Sequence, residues 1–170
     1  MRKIIERIET AYTDCGEGTF VFMLHGWGSK KELFAPITDL LSAKYRVIAP
    51  DLPGFGETQE PPDNWDVGSY ADFVIRFIES FDAKHVILLG HSFGGRIIIK
   101  MASRSSLPFS IDKIILTGSA GILPKRSMGY YVRTRTYKMA KAFLKCPPVK
   151  KLFPNALSNL QKNAGSSDYA

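Results

Sequence analysis

Apolar residues along this chain fall into two kinds of run, and the two kinds alternate. One kind is short and nearly unbroken: Thr19–Leu24, Tyr45–Ala49, Val86–Leu89 and Asp112–Thr117. Runs of that length rich in Val, Ile, Leu and Phe predict strands buried on both faces. The other kind has helical spacing. Tyr70, Phe73, Val74, Phe77, Ile78 and Phe81 stand at i, i+3, i+4, i+7, i+8 and i+11, and Ser69 with Asp72 gives a capping-box-like start. A shorter helix is predicted over Pro36–Ala43, with Ile37, Leu40 and Leu41 on one face, and another from about Gly95 to Arg104. Residues 2 to about 12 read as one or two edge strands, followed by a turn cluster at Asp14–Gly18. Strands alternating with helices at this spacing imply an α/β fold: a mostly parallel sheet with helices on both faces.

After Gly118 the pattern changes. A helix is predicted from about Tyr130 to Lys145, with Val132, Met139 and Phe143 on one side and Arg135, Lys138, Lys141 and Lys145 on another; Pro147 and Pro148 stop it. A shorter helix is predicted over 156–163. Charge divides at the same place. Residues 1–112 hold 12 basic and 15 acidic side chains, whereas residues 113–170 hold 11 basic and one acidic, Asp168. Such asymmetry marks either a partner-binding surface or a segment whose acidic complement lies elsewhere. A face for nucleic acid or an anionic membrane is the sharper reading. No nucleic-acid-binding module accompanies the basic residues, so no nucleic-acid partner is expected.

Composition changes this picture little. At 45% hydrophobic and 23% charged, the 170 residues are ordinary for a globular domain and exclude a disordered chain. No apolar run approaches the length of a membrane span, and the start lacks a signal-peptide core. Cys15 and Cys146 are far apart and lack a CxxC or metal-ligand partner. Two free thiols in a reducing compartment, the cytoplasm, are the expectation, with no metal and no cofactor.

The candidate chemistry sits at the ends of successive strands. Three glycine-rich turns follow three predicted strands: His25-Gly26-Trp27-Gly28, Asp51-Leu52-Pro53-Gly54-Phe55-Gly56 and Gly90-His91-Ser92-Phe93-Gly94-Gly95. In open parallel sheets, ligands bind at the carboxyl ends of the strands, so the three turns converge on one crevice. A serine at the tip of a strand-turn-helix is held out of the sheet, where it can attack a carbonyl, and glycines flank it because side chains there would meet the neighbouring strand or helix. The blander reading of Ser92 is an ordinary polar turn residue.

From about Thr19 to Thr117 the chain resembles the α/β-hydrolase superfamily, on these three turns in that order. The basic helices that follow look like the beginning of that family's cap. The resemblance implies that Ser92 is the nucleophile and that the N–H groups of Phe93 and Trp27 form the oxyanion hole. Donors so placed are worth roughly 10²–10³ in rate apiece. A Ser rather than an Asp at this position favours attack on an acyl carbon, leaving esters, thioesters, amides and vinylogous diketones cleaved at a C–C bond. His25, Gly26, His91 and Gly94 are expected to shape the pocket or support it structurally. His85 reads as a surface or core residue, Asp51 as a brace for its own loop, and Trp27 as packing or as lining of an acyl pocket.

The resemblance also implies an acid and a histidine after the serine. All three histidines precede Ser92; the acids after it are Asp112, at a strand start, and Asp168, while the alternative acid position reads Gly118-Ser119-Ala120-Gly121. The expectation is an N-terminal portion of a larger hydrolase: a core over 1–121 lacking its last strands, then an incomplete helical cap over 122–170, inactive alone toward its small-molecule acyl substrate. Ile114, Ile115 and Leu116 would then lie on an open sheet edge, a template for pairing. The alternative is a non-catalytic binding module, self-associated or completed by a partner chain at that edge.

Overall fold

The computed structural model describes residues 1–119 and 128–144, and the chain divides into two compact units, Met1–Ile122 and Leu123–Ala170. In the first unit the strands are β1 (Arg2–Ile5), β2 (Ile8–Cys15), β3 (Phe20–Leu24), β4 (Arg46–Pro50), β5 (His85–His91) and β6 (Ser110–Thr117). A 3-10 turn (Lys31–Phe34) leads into α1 (Ala35–Leu41); α2 (Val67–Glu79) and α3 (Phe93–Ala102) flank β5 in sequence. Among the described residues the sheet order is β1-β2-β4-β3-β5-β6. The β1–β2–β4 pairings are antiparallel and the β4–β3–β5–β6 pairings parallel. The β1–β2 hairpin turns on Glu6 and Arg7, both at positive φ, as a two-residue turn matched to strand twist requires.

Strand alternation sends side chains to both faces, and both are covered. Phe22, Leu24, Ile48, Val86 and Leu88 meet α2 and α3 through Phe73, Phe77, Ile97 and Ile98. Val21, Met23, Val47, Ala49 and Leu89 meet Phe34 and Leu41 on the other side. The aromatic stripe of α2 is buried along its length from Tyr70 to Ile78. Phe77 and Phe81 make edge-to-face contacts with Tyr12 and Phe22. Each fully buried ring or branched aliphatic contributes roughly 1.5–3 kcal/mol of gross transfer energy.

Three local expectations are corrected. In α1 the buried face runs through Phe34 and Thr38, with Leu41 partly buried, while Ile37 and Leu40 are exposed. The 3-10 turn rotates Phe34 into the core and fixes which face follows. The N-cap of α2 is Asp66, whose carboxylate accepts the Ser69 N–H at 2.8 Å, so the helix begins two residues before Ser69. β5 runs on through His91, and α3 starts directly at Phe93 rather than near Gly95. On β6, paired on one side only among the described residues, Ile114 and Ile115 are each more than a third exposed. In the second unit, α4 spans Met128–Leu144, close to the helix predicted there; the helix predicted over 156–163 lies outside the described residues.

Candidate active site

Between the last residue of β5 and the first of α3 stands one residue, Ser92, at φ 51°, ψ −107°. A non-glycine residue in that region carries about 1–3 kcal/mol of backbone strain, held only because its surroundings over-determine it. Those surroundings are specific. The Ser92 N–H donates to the Thr117 carbonyl at 3.0 Å, and the Ser92 carbonyl accepts from the Arg96 N–H at 3.2 Å. A Cβ on Gly90 would lie 2.6 Å from the backbone N and Cα of Gly95, and one on Gly94 would collide with the Leu24 carbonyl and come within 2.8 Å of the His25 carbonyl oxygen. Glycine at 90 and 94 thus lets strand, turn and helix approach closely enough to make the bend. Ser92 is half-buried and its hydroxyl caps nothing.

The loop after β3 lies against this turn: a Cβ on Gly26 would sit 3.2 Å from the Ser92 Cβ and 3.1 Å from His91 Nδ1. The Gly26 carbonyl is engaged by His25 Nδ1 at 2.8 Å and by the Ser29 N–H at 3.2 Å. In a trans peptide the carbonyl and the following N–H point opposite ways, so the Trp27 N–H faces away from both partners. Phe93 opens α3, where N–H groups have no intrahelical partner. Among the described residues neither the Trp27 nor the Phe93 N–H donates to a backbone carbonyl.

His25 is fully buried with both ring nitrogens committed. Nε2 accepts the Leu52 N–H at 2.9 Å, which places the proton on Nδ1 and makes Nδ1 the donor to Gly26. Burial lowers its pKa, keeping the ring neutral. His25 therefore ties the β3 loop to the β4 loop and has no nitrogen left for proton transfer. A second tie runs through Asp51, also fully buried. Its carboxylate accepts the Lys31 N–H at 2.6 Å, the Lys31 ammonium at 2.9 Å and the Glu57 N–H at 2.9 Å. Burial pushes this carboxyl up, but the two amides and the ammonium outweigh it and hold its pKa below the usual carboxylate range. Asp51 thus braces its own loop, as its position suggests, and also grips Lys31. A long-range ion pair leaves no local pattern in sequence, so Lys31 has no signal there.

The remaining candidates are scattered differently. His85 pairs with Asp112, Nδ1 to Oδ1 3.0 Å, both exposed and at the amino ends of β5 and β6, opposite the turn. His91 faces Gly26 and Gly118, with Nδ1 buried and unpartnered among the described residues. Trp27 is 68% exposed and edge-on to both Phe55 (4.9 Å) and Phe93 (5.2 Å), while Tyr70 meets Phe93 at 5.1 Å. With Gly54 and Pro61, Trp27, Phe55 and Tyr70 line a shallow groove of about 520 Å³. Among the described residues no group of three His, Cys, Asp or Glu side chains could hold a metal, and no helix is long and apolar enough to cross a membrane.

A family profile described as the alpha/beta hydrolase fold matches residues 19–151. The chain belongs to the α/β-hydrolase fold family. It is 34% identical over 119 residues to the 2-hydroxy-6-oxo-2,4-heptadienoate hydrolase of Pseudomonas putida, covering 68% of this chain and 42% of that enzyme. To the 1-acylglycerol-3-phosphate O-acyltransferase of Arabidopsis thaliana it is 35% identical over 122 residues, covering 67% of this chain and 28% of that one. Its structure resembles that of a meta-cleavage product hydrolase from Pseudomonas fluorescens (TM-score 0.67, 26% identity, 96% of this chain and 60% of that one). The chain thus spans less than half the length of these curated relatives. The turn at Ser92 and the loops after β3 and β4 lie within the described residues.

Proposed function

We propose that this hydrolase acts by acyl transfer through Ser92, on a small-molecule ester or a related acyl or C–C bond. The observation that supports the reading is the strained turn: a half-buried serine whose hydroxyl does not cap the helix it precedes, in a turn where, among the described residues, neither the Trp27 nor the Phe93 N–H donates to a backbone carbonyl. Ser92 Oγ would attack the substrate carbonyl, and the two amides would receive the developing oxyanion. The relatives named for hydrolase and acyltransferase activities support attack on an acyl carbon. Trp27 and Phe55 would offer the acyl group an aromatic wall.

The base and its carboxylate would come from residues beyond this sequence. His25 has both nitrogens engaged, and His85 with Asp112 lies at the far end of β5, about 20 Å of strand from the turn. Residues 1–121 would then be the hydrolase core and residues 122–170 the first part of its cap. The free Cys15 thiol favours a cytoplasmic setting. The test compares the 170-residue chain with Ser92→Ala, using p-nitrophenyl acetate and a fluorophosphonate probe. The expected result is slow labelling confined to Ser92, with ester turnover no faster than that of Ser92→Ala. Robust turnover lost in Ser92→Ala overturns the external base. Labelling that persists undiminished in Ser92→Ala overturns the nucleophile.

A further inference from the structure

The groove beside the turn at Ser92 is walled by aromatic rings and rimmed by carboxylates. Trp27, Phe55 and Tyr70 line it together with Glu60, Asp63 and Asn64, around about 520 Å³. Trp27 and Tyr70 also meet Phe93, the residue after Ser92, with ring centroids 5.2 and 5.1 Å apart, so only that ring separates the groove's wall from the turn. The Tyr70 hydroxyl donates to the Pro53 carbonyl at 3.0 Å, which leaves its ring alone to face a ligand. The acids around the groove fall into two groups. Asp51 and Glu57 are committed to Lys31, and Asp66 to the first turn of α2. Glu60 and Asp63 are exposed, and among the described residues neither side chain makes an ion pair or a hydrogen bond. The described lining includes no Lys, Arg or His.

We propose that this groove binds an organic ammonium group. Aromatic faces attract a cation through the ring quadrupole, Trp most strongly, and methyl groups on the nitrogen add apolar surface that the rings can cover. The two uncompensated carboxylates supply the matching charge. An anionic group would meet Glu60 and Asp63 with no basic side chain to offset them. A neutral apolar group would cover the rings and gain nothing from the carboxylates. An ammonium group bearing alkyl substituents uses both features at once. An acyl group laid against Trp27 and Phe55 shares this groove with Glu60 and Asp63. The substrate class then narrows to acyl compounds that carry a cationic amine on the acyl chain. That narrowing rests on acyl transfer at Ser92, whereas binding of the ammonium group does not.

The test titrates the full 170-residue chain with choline chloride, sodium chloride being withdrawn to hold ionic strength constant, and follows tryptophan emission. Both tryptophans report on the groove: Trp27 lines it, and Trp65 packs on Tyr70 at 5.3 Å. A saturable change with half-saturation at about 1–10 mM is expected. The neutral isostere 3,3-dimethyl-1-butanol should bind about fivefold more weakly or less, and 3,3-dimethylbutanoate more weakly still. The double variant Glu60→Gln/Asp63→Asn should weaken choline binding about fivefold. Its two changes are at exposed side chains, and far-UV circular dichroism checks that the fold is kept. Ser92→Ala should bind choline as the wild type does, so the groove can fail while the nucleophile stands, and the reverse. No saturable change up to about 50 mM choline, equal or tighter binding of either isostere, or full affinity in the folded double variant overturns the proposal.

Discussion

Replacing Asp51 with Asn tests whether the two loops beside Ser92 are held as a unit. The carboxylate is inaccessible to solvent, and the Lys31 side chain that meets it at 2.9 Å is only 12% exposed. Asn keeps the shape, loses the charge and introduces two N–H donors. Whichever way the amide turns, one of its donors faces another donor: the Lys31 N–H on one side, or the Glu57 N–H and the Lys31 ammonium on the other. Breaking a buried pair by removing one partner costs about 3–5 kcal/mol. Lys31 retains Glu32 at 3.1 Å and Glu57 at 3.3 Å, which puts this case at the low end, about 3 kcal/mol. With a urea slope of roughly 2 kcal/mol per molar, the midpoint should fall by about 1.5 M. Urea titration followed by far-UV circular dichroism reads this directly. A double-mutant cycle sharpens it: in a Lys31→Met background the same substitution should cost less than half as much, because the stranded charge is gone. A midpoint unchanged within error, or an equal cost in both backgrounds, refutes the pairing. Acid supplies a further check. The folded-state pKa of Asp51 lies below its unfolded value, so its contribution is present above about pH 4 and disappears as pH falls through the folded pKa. Wild type and Asp51→Asn should therefore converge in strong acid.

Two further predictions concern the turn and its neighbour. Ser92→Gly should stabilise the fold by about 1 kcal/mol, since relieving 1–3 kcal/mol of strain exceeds the entropy glycine adds to the unfolded chain; a melting temperature raised by about 3 °C is the expected readout, and one at or below wild type refutes the strain. For His25 the folded-state pKa is lowered, so the unfolded chain binds more protons between that value and about 6.5. Stability should accordingly fall as pH drops below about 6.5. His25→Gln should remove that part of the slope, and an identical slope in the variant contradicts the buried neutral ring.

How much of this could be read from the chain depends on the range of the interaction. The α2 stripe was legible because six apolar residues at helical spacing meet a sheet, a local pattern with one solution. In α1 the same reasoning failed: Ile37 and Leu40 are as apolar as Phe34, and only the 3-10 turn before them decides which side faces β4. At α2 both Asp66 and Ser69 suit an N-cap, and the choice turns on Val67 and Gly68 joining the first turn. The bend at Ser92 was legible for a steric reason, because the absence of a Cβ at Gly90 and Gly94 is written in the sequence while the backbone it admits is not.

What the chain could not disclose is the coupling between the candidate oxyanion loop and the loop after β4. His25 and Asp51 are each prominent in sequence, yet their partners, Leu52 and Lys31, lie 27 and 20 residues away. The two contacts cross: a β3-loop side chain accepts a β4-loop amide, and a β4-loop side chain accepts a β3-loop amide. Because both termini of the His25–Lys31 segment are pinned to residues 51 and 52, Trp27 is positioned by the second loop as well as its own. Ser92 is held instead by Thr117 and Arg96, on β6 and α3. The nucleophile candidate and one of the amides proposed to serve it thus rest on separate supports. Damage to the Asp51–Gly56 loop should displace the Trp27 amide and leave the bend at Ser92 intact, separating a loss of oxyanion binding from a loss of the serine's geometry.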